Sequence, residues 1–275
     1  MIHRIIKNKT SDYKNFFKRV DLKKLVGKKT FNKVKNFEKL SCINTSLVRG
    51  KKIIFCTPNQ RTLWQSFGQE YTEPELLDFI ESIPKRGTYF DVGASTGIFA
   101  IYSAMLGIRT YCFEPEITNF SLLNTNSYLN KKKIKNNFNY FNIALADKKS
   151  ISKMDIKKFQ TGAHEKFLNK KKNKKVKIDY SHKTFTLTMD EFIKISKIMP
   201  TDLKIDVDGA ELMVIYGMKK ILQNQKLKRI FIEISEKNIS SKKALKKILS
   251  YGFKVQKINR VQNYIDLNNY ILIRK

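Results

Sequence analysis

The succession of apolar runs predicts an α/β domain: a mostly parallel seven-stranded sheet with helices on both faces, closed by a C-terminal hairpin that adds an antiparallel strand at one edge. Three observations carry that reading. From Thr88 onward, short runs rich in β-branched and aromatic residues alternate with runs of helical period. The first of these strands breaks into a small-residue turn that opens directly into a helix. The last two strand-like runs follow one another with no helix between them.

In order, TYFDVGA reads as a strand, TGIFAIYSAML as a helix, RTYCFEP as a strand, NFSLLNTNSYLN as a helix and NYFNIALAD as a strand. TDLKIDVDGA then reads as a strand, AELMVIYGMKKIL as a helix, RIFIEIS as a strand and SKKALKKILSYG as a helix, with FKVQKIN and YILIRK as the closing pair. Upstream, KKIIFCTP reads as a short strand. TEPELLDFIESI reads as a helix with Thr72 as N-cap, Pro74 early, and Glu73 and Glu75 in the first turn. Residues 1–60 form a basic, partly helical extension in which Tyr13, Phe16, Phe17 and Val20 fall at helical spacing. Residues 61–275 form the main domain, interrupted by an insertion over 148–200 whose run NKKKNKK reads as a solvated loop.

Composition narrows the function classes. A formal charge of +31 over 275 residues calls for a polyanionic partner or reflects compositional drift, and only nine of the 55 basic residues are Arg. That favours drift, because dedicated nucleic-acid sites draw on the bidentate guanidinium. Peripheral association with an anionic membrane is the third possibility. Cys42, Cys56 and Cys112 have neither disulfide-framework nor metal-ligand spacing, so no metal is expected. No run reaches the roughly 18 apolar residues of a membrane span. MIHRIIKNKT is not followed by the apolar segment of a secretory signal, so a cytoplasmic location is expected.

The chemistry concentrates at strand ends, where open parallel sheets bind ligands. The turn in YFDVGASTGIFAIY, with Gly93, Ala94, Ser95 and Gly97, lets a ligand approach the backbone and aims the amide groups of the next helix at it. It is not the dinucleotide fingerprint, which needs glycine where Ser95 and Ile98 stand. Asp91 would repel a pyrophosphate and favour a cation. Glu114 has the spacing and the acceptor-only chemistry to hold ribose hydroxyls. The third strand offers Asn142 to Asp147, and the fifth Glu233. In LKIDVDGAEL, a strand would put Lys204, Asp206 and Asp208 on one face, with Glu211 opening the next helix. Such an acid cluster calls for a cationic cofactor, a metal or a hydroxyl substrate. His164 and His182 are minor candidates for a base.

With these residues in place, the chain resembles the FkbM family of S-adenosylmethionine-dependent methyltransferases. The resemblance runs roughly from Thr88 to Phe253 and rests on the ordered set FDVGASTG, FEPEITNFSLLNTNSYLN, NIALAD, TLTMDEF and KIDVDGAEL. It departs from the family pattern at Ser95-Thr96, where Asn is common, and at Asp208, where Glu is common. The resemblance implies a Rossmann-like class I methyltransferase with S-adenosyl-L-methionine as cofactor. Asp91, Gly93 and Gly97, with Ala94 and Ser95 in the same turn, would surround its methionine part. Glu114 would meet the ribose, Asn142 and Ala144 the adenine, and Asp206 the reacting end. The expected reaction is O-methylation of a sugar, glycan or small natural product. Asp206 or Asp208 would orient the acceptor and take its proton, with Glu211 or His164 as alternatives. Methylation of RNA ribose, or a basic protein on a membrane surface, are the competing readings.

Overall fold

A computed structural model describes residues 24, 26–37, 42–163, 166–168, 177–261 and 264–274. The N-terminal stripe at Tyr13 to Val20, His164 and the NKKKNKK run lie outside the described residues. The chain divides into a first unit, Met1–Cys42, and a second, Ile43–Lys275. In the first, helix α1 (Lys28–Phe37) follows Gly27, whose carbonyl accepts from the Phe31 amide.

The second unit begins upstream of the expected boundary at residue 60, with a hairpin of β1 (Ile43–Val48) and β2 (Lys51–Cys56). Helices α2 (Gln60–Thr72) and α3 (Pro74–Glu81) follow. Thr72 ends α2 and does not cap α3; Asn59 caps α2 through Thr62, and Glu73 is the residue shared between the two helices. From Thr88 the alternation is as expected: β3 (Thr88–Val92), α4 (Ile98–Met105), β4 (Arg109–Phe113), α5 (Ile117–Ile134) and β5 (Phe138–Phe141). The run NYFNIALAD is two strands. It breaks after Phe141, and β6 (Ala144–Leu145) joins a different sheet.

The insertion is folded. Strands β7 (Ser150–Ile156), β8 (Lys166–Leu168) and β9 (Tyr180–Leu187) assemble with β6 into a second sheet in the order β6-β9-β7-β8. Helix α6 (Met189–Ser196) returns the chain to the main sheet, capped reciprocally by Thr188 and Glu191. There follow β10 (Asp202–Ile205), α7 (Glu211–Tyr216), α8 (Lys219–Gln223), β11 (Arg229–Ser235), α9 (Ile239–Leu249), β12 (Phe253–Arg260) and β13 (Leu267–Arg274). The single helix expected over AELMVIYGMKKIL divides around Gly217, where a Cβ would fall 1.9 Å from the Ala146 carbonyl oxygen. That backbone approach holds the helix pair against the β6 connection.

The main sheet has the order β12-β13-β11-β10-β3-β4-β5. All its pairings are parallel except those of β13, which runs antiparallel between β11 and β12, so the antiparallel strand lies one place in from the edge. The strand alternation sends two sets of side chains to two faces. Tyr89, Cys112, Phe231 and Ile271 pack with Leu76, Ile80, Ile101 and Leu123 of α3, α4 and α5. Phe90, Phe113, Ile205 and Ile232 pack with Phe192, Val214, Ile221 and Ile248 of α6 to α9.

The hairpin is tied to the domain by a polar ladder on α5. Asn126 accepts from the Cys56 amide at 2.8 Å, and Asn130 accepts from the Ile54 amide at 3.0 Å and donates to its carbonyl at 2.7 Å. Two asparagines one helical turn apart thus satisfy backbone groups along β2 that would otherwise be an open sheet edge.

Candidate active site

The site forms where β3, β4 and β10 end. Gly93 and Ala94 both donate to the Phe113 carbonyl, at 3.0 and 3.1 Å, Ser95 donates to Glu114 Oε2 at 2.8 Å, and Gly97 donates to the Ala94 carbonyl. Gly93, Ser95 and Gly97 all adopt positive φ, so the turn winds tightly. These amides are therefore engaged within the chain. What these turn residues present to a ligand is shape and carboxylate oxygen, while the expected amide donors belong to the helix that starts at Ile98.

A cleft, partly open to solvent, lies over these strand ends. Its charged lining comprises Glu73, Asp91, Glu114, Glu116, Asp206 and Asp208 against Lys166 and Lys204. Among the described residues, six carboxylates face two ammoniums in a chain whose formal charge is +31. The cross-strand register explains the clustering. Lys204 lies opposite Asp91 on β3 and Phe231 on β11, so Asp91, Lys204 and, two residues along β11, Glu233 share one face of the sheet.

Lys204 is the hub. Its ammonium is 3.2 Å from Asp91 Oδ1, 3.3 Å from Asp206 Oδ2 and 3.2 Å from the Gly93 carbonyl oxygen. Burial works to lower its pKa, but Asp91, Asp206 and Glu73 outweigh that and hold it above the ordinary lysine value. Asp91, 2% exposed, is raised by burial, with Lys204 opposing the shift. Burial pushes Glu114 up to about 7, although Lys166 and the amides of Glu116 and Ser95 favour its ionised form. Burial pushes Glu73 up to about 8, with Asp206 the next contributor. Glu233, beside the cleft, reaches about 9 for the same reasons in the same order.

The structure brings together Asp91, Gly93, Ala94, Ser95, Glu114, Ala144, Asp206 and Asp208 in the cleft wall. Four candidates lie elsewhere. Gly97 starts α4 behind the turn, packed against Leu123. Asn142 is exposed and donates to the Glu114 carbonyl at 2.9 Å, fixing the loop after β5, while Ile143 and Ala144 line the cleft. Glu211 is buried, accepts from the Gly209 amide at 2.8 Å and lies 3.4 Å from the Ser241 hydroxyl. His182 sits on β9 outside the cleft lining. One expectation is corrected: β10 ends at Ile205 and Asp208 has φ 49, so it leaves the strand face shared by Lys204 and Asp206. Its Oδ2 accepts from the Lys166 amide at 3.3 Å.

Sequence reasoning missed Lys166, Glu116, Glu73 and Gln65. Lys166 and Glu116 form a buried pair at 2.7 Å, and Glu116 also caps α5 through the Thr118 and Asn119 amides. An acid immediately before a helical run was a readable capping signal. Lys166 carried none, since it comes from the insertion. Asn119 accepts from the Gly162 amide at 2.9 Å and Gln65 donates to the Gly162 carbonyl at 3.0 Å, which fastens the insertion over the cleft beside Glu114.

Strand order, a glycine turn after β3 and carboxylates at the ends of β3, β4 and β10 together define a class I methyltransferase domain. The chain belongs to the FkbM methyltransferase family: the sequence profile of the Methyltransferase FkbM domain matches residues 91–255, more than half its length. Members of this family take their methyl group from S-adenosylmethionine. Comparison with curated proteins returns no match. Among solved structures, the chain is similar to the ribosomal protein L11 methylase of Lactobacillus delbrueckii subsp. bulgaricus, at 13% identity over 76% of this chain and 81% of that one, with TM-score 0.47. It is also similar to Aeropyrum pernix fibrillarin with natively bound S-adenosyl-L-methionine, at 12% identity over 84% and 94% of the two chains, TM-score 0.45. A third is magnesium protoporphyrin IX methyltransferase from Synechocystis PCC 6803 with bound S-adenosylmethionine, at 10% identity over 79% and 85%, TM-score 0.44.

The lining suits that cofactor. It carries an ammonium and a sulfonium, and the cleft supplies an excess of carboxylate in place of the amide cradle that a pyrophosphate needs. Among the described residues, no group of three or more His, Cys, Asp or Glu side chains is placed to hold a metal ion, and no helix is long and apolar enough to cross a membrane.

Proposed function

We propose that this methyltransferase acts on oxygen, transferring the methyl group to an uncharged hydroxyl of a sugar, glycan or other small molecule. The carrying observation is the reversal of polarity between molecule and cleft. Lys166 and Lys204, the cleft's two lysines among the described residues, are already ion-paired, which leaves a polyanionic acceptor facing Asp206 and Asp208 with no ammonium to receive it.

In this reading Asp91 and the Gly93 to Ser95 turn hold the methionine end of the cofactor, Glu114 offers its remaining lone pairs to the ribose, and Ile143 and Ala144 flank the adenine. The bound cofactor supplies an electrophilic methyl group. The chain's part is to hold the acceptor oxygen in line with it, where positioning alone accounts for much of the rate. Asp206 and Asp208 lie at the β10 end of the cleft and orient the acceptor by accepting its hydroxyl hydrogens. Glu211 keeps the Gly209 turn closed between them and α7.

The test is transfer from tritiated S-adenosylmethionine to a cell extract fractionated into neutral glycan, lipid, RNA and protein pools. Label is expected in the glycan or small-molecule fractions. Label confined to RNA at physiological salt would contradict the proposal and assign the basic exterior to ribose methylation.

A further inference from the structure

We propose that Glu73, at the junction of α2 and α3 and outside the region that matches the family, is the base that receives the acceptor's proton. The inference rests on the methyltransferase reading of the same cleft. Of the six carboxylates in its wall among the described residues, five have partners. Asp91 and Asp206 pair with Lys204, Glu114 accepts two amides, Glu116 pairs with Lys166, and Asp208 accepts from the Lys166 amide. Glu73 makes no side-chain hydrogen bond or ion pair among the described residues, although its backbone anchors both helices: its amide donates to Gln69, and its carbonyl accepts from Leu76 and Leu77. A carboxylate held by a rigid backbone, facing a ligand cleft with its oxygens unoccupied, is free to accept a proton from what enters.

The register puts it at the acceptor end. Asn269 on β13 lies opposite Glu233 on β11 and shares its face, and Asn269 donates to Glu75 at 2.8 Å. That bond pins the first turn of α3 over β13 and β11, so Glu73, two residues earlier, enters the cleft from the β10–β11 side. The groups around it are Asp206, Lys204 and Asp91 along the strand ends, Glu75 on its own helix, Glu233 on β11 and Tyr89 beneath, whose buried hydroxyl has no partner. Asp206 is a weaker candidate because its Oδ2 is already engaged by the Lys204 ammonium at 3.3 Å.

The proton balance closes on this residue. The acceptor oxygen forms the new C–O bond as the methyl–sulfur bond breaks, the electron pair of that bond stays on sulfur, and the hydroxyl proton passes to a Glu73 oxygen. Burial raises Glu73 to about 8, a basicity matched to work near neutral pH.

The test uses the full chain with S-adenosylmethionine bound, comparing wild type with Glu73→Gln and Glu73→Asp. Difference infrared spectroscopy should show protonated-carboxyl absorption that titrates away between about pH 6 and about pH 9.5, and Glu73→Gln should remove one component of it while those of Glu114 and Glu233 remain. Single-turnover transfer from tritiated cofactor to the pool labelled by wild type should fall by roughly 10²–10⁴-fold in Glu73→Gln and lose its rise with pH, with partial recovery in Glu73→Asp. Calorimetric cofactor affinity should stay unchanged in both variants. Undiminished transfer by Glu73→Gln, or a wild-type-minus-variant spectrum with no carboxyl component, overturns the assignment and leaves the methyltransferase reading intact. A wild-type chain that binds the cofactor but labels no pool overturns both.

Discussion

Replacing Gly93 by alanine is expected to remove cofactor binding and to destabilise the second unit by about 2–6 kcal/mol, the sum of roughly 1–3 for a strained backbone and roughly 1–3 for overpacking. The Cβ would stand 1.8 Å from the carbonyl oxygen of Asp206, a backbone atom that cannot rotate away. Moving it would pull β10 from β3, since the Asp206 amide donates to the Val92 carbonyl at 3.0 Å. Gly107 is the internal control. It has the same φ of +86 with nothing within 4 Å of an added Cβ. Gly107→Ala should show only the conformational cost, so the difference between the two variants in urea denaturation isolates the clash. Equal losses in both would mean that the approach of the two strand ends does not set the site.

Lys204→Met is the second large effect. It leaves Asp91 and Asp206 without their shared cation, and breaking a buried pair from one side costs roughly 3–5 kcal/mol. The pH dependence distinguishes this from a packing defect. Without Lys204, burial raises Asp91 further above its unfolded value, so the folded chain binds the proton more tightly than the unfolded one. The variant's stability is then fully present below the unfolded pKa and is lost as pH rises through the folded value. Urea midpoints of variant and wild type should therefore converge as pH falls. A gap that stays constant with pH would show that Lys204 acts through packing.

Much of the site was legible because the strand-end rule is local: a strand, its turn and its terminal acid lie together in sequence. Asp91, Gly93, Glu114 and Asp206 were found that way, and the cleft contains all four. What was not legible depends on tertiary placement. Glu73 enters from a helix junction upstream of β3, carrying no motif, on a helix held by core packing and by Asn269, near the chain's far end. Lys204 could be counted among its acids, but the register that sets it opposite Asp91 appears only when β10 pairs with β3. The second sheet was missed because the insertion was read by its lysine run. Yet Ser150–Ile156 and Tyr180–Leu187 carry strand-like alternation, and their pairing registers Met154, which lines the cleft, opposite His182. Asp208 was misplaced because the period-two rule was extended past the point where β10 stops.

The acidic cleft of this basic protein receives a cationic cofactor. Glu114, held at about 7 before binding, must ionise to favour that cation. Titration calorimetry of S-adenosylmethionine into the full chain tests this, between about pH 6 and about pH 7.5, below the roughly 7.7–8.0 at which an α-amino group itself titrates. The prediction is saturable binding at one site, tightening as pH rises and releasing protons to the buffer. Absence of binding, or binding that weakens with rising pH and takes protons up, would contradict it.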